Sequence, residues 1–353
     1  MGPGSIRPAL HFGSHLDRFR PFLFPDIPEF ERIMNDTQLT RRDVVRLGLA
    51  ASLSPALGRI ALGADESGKP AAGKIGDYKI SLAQWSLHKR LFADRSKTVA
   101  MNLDFPKMAK EEFGIEGVEY VNQFFKDKPH DEAYLKDLKK RAADHGVTNV
   151  LIMIDGEGDL SVEDSTKRNQ AVANHKKWVD AAASLGCKAI RINTGGNYSP
   201  TKTQPVAESC GALAEYGKSH GVAIICENHG GPSSDPDSLI ALMKAVGNPN
   251  FGTLPDFGNF PRDKATNKHT IDIYEAIARL MPYAHGVSAK SYVFDAAGNE
   301  RDMDFARILK IVTDAGYNGW VGIEYEGSEL PEPEGIKATK KLLERLRGSN
   351  YAG

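Results

Sequence analysis

Three stretches of the chain carry charged or imidazole groups directly after apolar runs. Val222-Ala223-Ile224-Ile225-Cys226 leads into Glu227-Asn228-His229-Gly230-Gly231. Gly252-Thr253-Leu254-Pro255 leads into Asp256-Phe257-Gly258-Asn259, and Gly322-Ile323 into Glu324-Tyr325-Glu326. A carboxylate at the end of an apolar strand is costly to bury without a partner. Singly, each reads equally well as a helix N-cap or a salt-bridge partner. Together, Glu227, Asp256 and Glu324 form a set of hard oxygen ligands for a divalent cation. Such a cation would polarise a carbonyl and acidify the neighbouring C–H, and Glu227 and Glu324 would then exchange that proton as base and acid. Lys290 ends a fourth run and shares its strand face with Ser288. Its catalytic reading is stabilisation of an enolate; its plain reading is a surface lysine. His88, Glu119, Asn193, His229 and Asn259 complete the set as expected substrate contacts.

These groups need a scaffold that brings strand ends together. After Asp77, β-branched runs alternate with helical ones, and the helical runs end at Gly114, Gly146, Gly186, Gly221, Gly247 and Gly316, spaced 32, 40, 35, 26 and 69 residues apart. Glycine just beyond a helix adopts the left-handed cap without a Cβ penalty, and this period is that of βα repeats. Strands are expected at 78–86, 117–120, 149–154, 189–193, 222–227, 251–256, 284–290 and 320–324, with helices following, for example over 176–185 and 271–280. Eight units in one domain predict a single (β/α)8 TIM barrel, whose chemistry sits at the C-terminal ends of the strands. Glu227 on the fifth strand and Glu324 on the eighth would then face one another across the mouth. No GxGxxG follows the first strand and no GxxxxGK[ST] occurs, so the dinucleotide and P-loop alternatives lack their phosphate loops.

Composition narrows the function classes. The 353 residues hold 45 Lys+Arg against 46 Asp+Glu, a net charge of −1, which lacks the broad basic footprint of a nucleic-acid binder. Cys187, Cys210 and Cys226 show no CxxC spacing and read as buried thiols.

The first 64 residues hold eight Arg and no Lys. Thr40-Arg41-Arg42, a weakly apolar Ala/Leu/Gly stretch and the closing Gly63-Ala64 look like a twin-arginine export signal over 34–64. Residues 1–33 then read as an upstream extension, with Met34 an alternative start, 65–77 as a linker and 78–348 as the barrel. The localisation this implies is periplasmic or extracytoplasmic, with no stable membrane anchor after processing.

The stretches around Cys226-Glu227-Asn228-His229, Leu254-Pro255-Asp256-Phe257-Gly258-Asn259 and Gly322-Ile323-Glu324-Tyr325-Glu326 resemble the sugar isomerase/epimerase superfamily of xylose-isomerase-like barrels, over essentially all of 78–346. The resemblance implies that Glu227, Asp256 and Glu324 bind a divalent metal and that the two glutamates act as acid and base. Family members usually show His-x-Lys-Asp on strand seven with the His as fourth ligand; this chain reads Ser288-Ala289-Lys290-Ser291. His285 is on the opposite strand face, and Asn259 stands where a second histidine is common. An all-oxygen set favours Mn²⁺ or Mg²⁺ over Zn²⁺ or Co²⁺, and the Lys290 ammonium is the alternative source of positive charge. Endonuclease IV, with its multi-histidine trinuclear zinc site, is a poor match. The expected partner is a free or keto sugar, and a homo-oligomer is compatible. The expected activity is isomerisation or epimerisation through an enolate, with elimination from 3-keto-glycosides and a non-catalytic sugar-binding barrel as alternatives.

Overall fold

The computed structural model describes residues 70–353. The export signal, the upstream extension and the start of the linker lie outside the described residues. Eight parallel strands form one sheet: β1 Lys79–Ala83, β2 Gly117–Val121, β3 Thr148–Met153, β4 Ala189–Ile192, β5 Ala223–Glu227, β6 Phe251–Leu254, β7 Val287–Ser291 and β8 Trp320–Tyr325. Neighbours run β6-β5-β4-β3-β2-β1-β8-β7, and the sheet closes between β6 and β7 through the parallel bridges Thr253↔Ala284 and Asp256↔Ser288. The (β/α)8 barrel expected from the glycine spacing is therefore present.

A helix follows each strand: α1 Thr98–Phe113, α2 Glu132–Asp144, α3 Ser165–Leu185, α4 Gln204–Ser219, α5 Pro236–Val246, α6 Ile273–Leu280, α7 Phe305–Asp314 and α8 Glu332–Leu346. The six glycines that mark the repeat all have positive φ, and Gly114, Gly186 and Gly247 are left-handed caps of α1, α3 and α5. Aspartates do the opposite job at the entrances: Asp131, Asp164, Asp235, Asp272 and Asp304 accept backbone N–H groups as N-caps of α2, α3, α5, α6 and α7. The N-caps of these five helices are thus residues other than Glu227, Asp256 and Glu324.

Two-residue alternation divides each strand between the helices and the barrel interior. On β8, Val321, Ile323 and Tyr325 face the helices, while Gly322 and Glu324 face inward. Space inside is tight enough to dictate residue type: a Cβ on Gly322 would lie 2.5 Å from Glu119 Oε1, so the Glu119 carboxyl takes the volume that strand eight gives up. Expected strand ends differ where the chain leaves the sheet. The first strand ends at Ala83 because Gln84–Leu87 turns into a 3-10 helix, the sixth ends at Leu254, before Pro255, and the seventh begins only at Val287. A two-stranded clasp, Gly73–Lys74 with Asn350–Tyr351, ties the two ends of the described chain together. Among the described residues no helix is long and apolar enough to cross a membrane.

Candidate active site

Glu227, Asp256 and Glu324 converge at the C-terminal mouth, each offering a carboxylate oxygen such that these atoms lie within 4.8 Å of one another. All three are buried. Nearly every oxygen is fixed by a donor. Asp256 Oδ1 accepts from the backbone of Gly258 and Asn259 at 2.9 and 2.8 Å, and its Oδ2 accepts from Ser288 Oγ at 2.6 Å. Glu324 Oε2 accepts from Ser288 Oγ at 3.1 Å and its Oε1 lies 3.2 Å from Lys290 Nζ. Glu227 Oε1 accepts from Asn259 Nδ2 at 2.9 Å. The exception is Glu227 Oε2, which is buried and has no hydrogen-bond partner. Arg191 Nε is 2.9 Å away, but the pair is not aligned as a hydrogen bond and both atoms stay unsatisfied.

Two cations flank the cluster from opposite sides. Lys290, 1% exposed, pairs with Glu324 and, at 3.0 Å, with Glu326. Its plain reading as a surface lysine is therefore replaced: its inward position on β7, beside Ser288, buries the ammonium among carboxylates. Arg191, on β4, is held by Asp155 Oδ1 at 2.8 Å, and Asn193 Nδ2 donates to the same oxygen at 2.7 Å. Arg191, Asp155 and Glu326 are the residues that sequence reasoning missed.

Charge and burial set the titration of the site. Burial pushes Glu227 up to about 7 against the pull of Arg191, and Asp256 up to about 7 against that of Lys290. Burial also raises Glu324, but Lys290 and Arg191 outweigh it and hold that carboxyl below its ordinary value. Asp155 is likewise lowered to about 2, since Arg191 beside it overcomes desolvation. Burial lifts Glu119 to about 8 despite the 2.5 Å hydrogen bond from Ser81 Oγ.

The other expected contacts are distributed unevenly. Asn259 and Asn193 join the cluster directly through Glu227 and through Asp155. The His229 side chain is exposed, with its backbone N–H donating to Ser233 Oγ. Glu119 points into the barrel between Ser81 and Gly322, and its Oε2 is buried without a partner. His88 is not brought to the carboxylates by any contact: its Nδ1 is 2.7 Å from the Trp85 carbonyl and 3.5 Å from Glu332, and its ring stacks on Trp85.

The residues present fit a divalent cation. Three oxygen donors converge, one of them an orphaned buried carboxylate oxygen, in a donor set suited to Mn²⁺ or Mg²⁺. A pH dependence of stability follows for metal-free protein. Glu227, Asp256 and Glu119 titrate higher in the folded chain than in the unfolded one, so the stability they contribute is complete near pH 4 and is lost as pH rises through 7 to 8. In EDTA the melting temperature is expected to fall by ~5 °C or more between pH 5.5 and 8, and saturating Mn²⁺ to flatten that slope. A melting temperature that climbs across this window in EDTA would contradict the charge balance described above.

A family model described as xylose isomerase-like TIM barrel matches residues 108–346. The chain belongs to this family. Over 86 residues it is 36% identical to a C-glycoside deglycosidase alpha subunit of Arthrobacter globiformis, and that stretch is 24% of each protein. The chain thus matches about a quarter of that relative's length. Among solved structures it is similar to a D-allulose 3-epimerase from Methylomonas sp., with TM-score 0.60 and 12% identity over 77% of this chain and 98% of that one. It is also similar to a 3-keto-D-glucoside 4-epimerase from E. coli, with TM-score 0.56 and 13% identity over 69% of this chain and 94% of the other. At such identities these two likenesses concern the xylose isomerase-like fold alone.

Proposed function

We propose that this chain is a sugar-modifying enzyme that labilises the C–H bond next to a carbonyl of a free or keto sugar, with Glu227 and Glu324 exchanging the proton. The observation that carries this reading is the convergence of Glu227, Asp256 and Glu324 with Glu227 Oε2 left without a hydrogen bond. That oxygen is the one atom of the cluster prepared to take a partner the protein does not supply. Glu227, Asp256 and Glu324 would hold a divalent metal, Mn²⁺ or Mg²⁺ by donor type. Bound there, the ion supplies Lewis-acid polarisation of the carbonyl.

The chain's own groups supply the rest. Arg191 and Lys290, one on each side, are placed to offset negative charge developing on an enolate oxygen, in a site dry enough for that charge to matter. Ser288 stands at the family's usual strand-seven histidine and spends its hydroxyl on Asp256 and Glu324, orienting both. Asn259 fixes the second Glu227 oxygen, which leaves Oε2, 2.9 Å from Arg191 Nε, as the oxygen without a hydrogen bond and the one proposed to take the proton. Asn193 and Asp155 present polar atoms near the mouth for sugar hydroxyls.

Removing the proton opens two outcomes from one enolate. Reprotonation gives an isomerase or epimerase; expulsion of a β-substituent gives a lyase on 3-keto-glycosides. The local 36% identity to a deglycosidase alpha subunit favours keeping the second outcome in view. Incubating a panel of ketoses and 3-keto-glucosides with metal-loaded protein in D₂O, followed by NMR, separates them. Deuterium entry with the skeleton intact is expected for the first, and loss of aglycone for the second. Neither event across the panel would sink the enzyme reading and leave a sugar-binding barrel.

A further inference from the structure

Glu119, on β2, is a buried acid that the chemistry above leaves unused. Only 2% exposed, it accepts one hydrogen bond, from Ser81 Oγ to Oε1 at 2.5 Å, and its Oε2 has no partner. The other buried acids among the described residues are better served. Glu227 takes the Asn259 amide, Asp256, Glu300 and Glu332 take backbone N–H groups, and Glu324 pairs with Lys290. An ionised carboxylate offers about four acceptor sites, and burying one against a single hydroxyl, with no cation paired to it, is prohibitive. Glu119 therefore holds a proton, and with Oε1 accepting from Ser81 that proton sits on Oε2.

Its place in the barrel gives that proton a destination. The carboxyl fills the volume a side chain at 322 would take, with Oε1 and Oε2 2.5 and 2.6 Å from the Cβ position of Gly322. Gly322 pairs with Ser81 on one side and with Ser288 on the other. The next inward residue on β8 is Glu324, roughly 7 Å further along the strand by its rise per residue. Ser288 already donates to Glu324 Oε2 at 3.1 Å. The terminal torsion of a glutamate is soft, so Oε2 can turn toward the Ser288 hydroxyl. The charged and titratable groups that act on Glu119 are Glu324 from β8, Glu227 from β5, Arg191 from β4 and Tyr317 from the segment before β8.

We propose that Glu119 acts through Glu324, as a positioning residue that keeps in reserve the proton which Glu324 returns to the substrate. This role rests on the reaction proposed above. Glu119 Oε2 gives its proton to Ser288 Oγ as the Ser288 hydroxyl proton passes to Glu324 Oε2, and Glu324 delivers it to the enolate carbon. Glu227, carrying the proton taken from the substrate, then refills Glu119, Oε2 of each being the oxygen without a hydrogen bond. One proton leaves the substrate and one returns, so the cycle needs no further reactant.

Two measurements on the full chain supplied with Mn²⁺ test this. The infrared difference between wild type and Glu119→Gln near pH 7 should contain the C=O stretch of a neutral carboxylic acid, shifted in D₂O and lost from wild type as pH rises through about 8. With the ketose or keto-glucoside that wild type converts, Glu119→Gln should form product about tenfold or more slowly at unchanged KM, while deuterium still enters recovered substrate within about threefold of the wild-type rate. Glu119→Asp, which keeps an acid and shortens its reach, should keep the band and recover part of the turnover. A merely structural role would lower exchange and product formation together. That result, a missing acid band, or unaltered product formation in Glu119→Gln would each overturn the proposal. Wild type that exchanges no substrate hydrogen would remove the reaction and this role with it, whereas exchange in wild type and identical behaviour in the variant would remove this role alone.

Discussion

Glu227→Gln is expected to lower turnover by about a thousandfold or more and to abolish exchange of the substrate's acidic hydrogen with D₂O. The substitution changes no bond length that matters, so its effect is electrostatic and can be traced atom by atom. Glu227 Oε1 accepts from Asn259 Nδ2, and Oε2 faces Arg191 Nε at 2.9 Å. An amide placed there must turn its NH₂ toward one of two donors. If it faces Arg191, the orphaned oxygen becomes a second donor and can neither take a proton nor hold a cation. If it flips, it faces the Asn259 amide instead. Either way the proton acceptor is gone and one oxygen of the three-carboxylate set is lost, so stoichiometric Mn²⁺ binding should disappear as well. The variant should still fold, because burial disfavours a charge on Glu227 by more than Arg191 attracts it, and an uncharged amide is spared that cost. A cooperative melt at or above the wild-type temperature, together with lost exchange, is the expected pattern. Exchange retained to within tenfold of wild type would remove Glu227 from the chemistry and return the residue to a structural role.

Much of this arrangement was visible in the amino-acid sequence because it rests on local rules. Glycine beyond a helix has one good conformation, so Gly114, Gly146, Gly186, Gly221, Gly247 and Gly316 announced the repeat and, with it, the barrel. A carboxylate after an apolar run has few cheap explanations, so Glu227, Asp256 and Glu324 stood out. What sequence reasoning missed depends on pairing between strands. Arg191 sits within Ala189–Ile192, where nothing in the chain says whether its face is turned to helices or to the barrel centre. The register Met153↔Arg191↔Ile225 settles that, placing it on the inward face beside Glu227. Asp155 follows the same strand-end rule as the others, immediately after the apolar Ile154, but its role appears only once Arg191 is known to be its partner. His88 shows a different dependence: strand one does not continue to Ser86, and after the 3-10 turn at Gln84–Leu87 its ring stacks on Trp85. The side chain of Ser288 illustrates a third case. Read as a missing ligand it weakens the site; in the structure its hydroxyl ties Asp256 to Glu324 across the seam where the barrel closes.

Lys290→Met should destabilise metal-free protein by about 3–5 kcal/mol at pH 8, since it strips the cation from a buried pair and leaves the carboxylates uncompensated. The ammonium is 1% exposed and lies within 3.2 Å of both Glu324 and Glu326, so its charge is compensated by the protein rather than by solvent. Methionine fills similar volume, which confines the loss to charge. The penalty should shrink toward pH 5, because Glu324, no longer held ionised by Lys290, can be protonated there. Adding Glu324→Gln to Lys290→Met should recover part of the loss for the same reason. The response to cations then decides between two ways of balancing this site. If Glu227, Asp256 and Glu324 hold a divalent ion, Lys290 is a like charge beside it, and its removal should tighten Mn²⁺ binding by about tenfold or more while Mn²⁺ restores the lost stability. If the ammonium alone does the work of a cation, neither protein will bind Mn²⁺ and the lost stability will not return. Calorimetric titration of both proteins, with melting curves at pH 5.5 and 8, distinguishes the two. Two buried cations already face five carboxylates, Asp155, Glu227, Asp256, Glu324 and Glu326, so the charge deficit favours the first outcome.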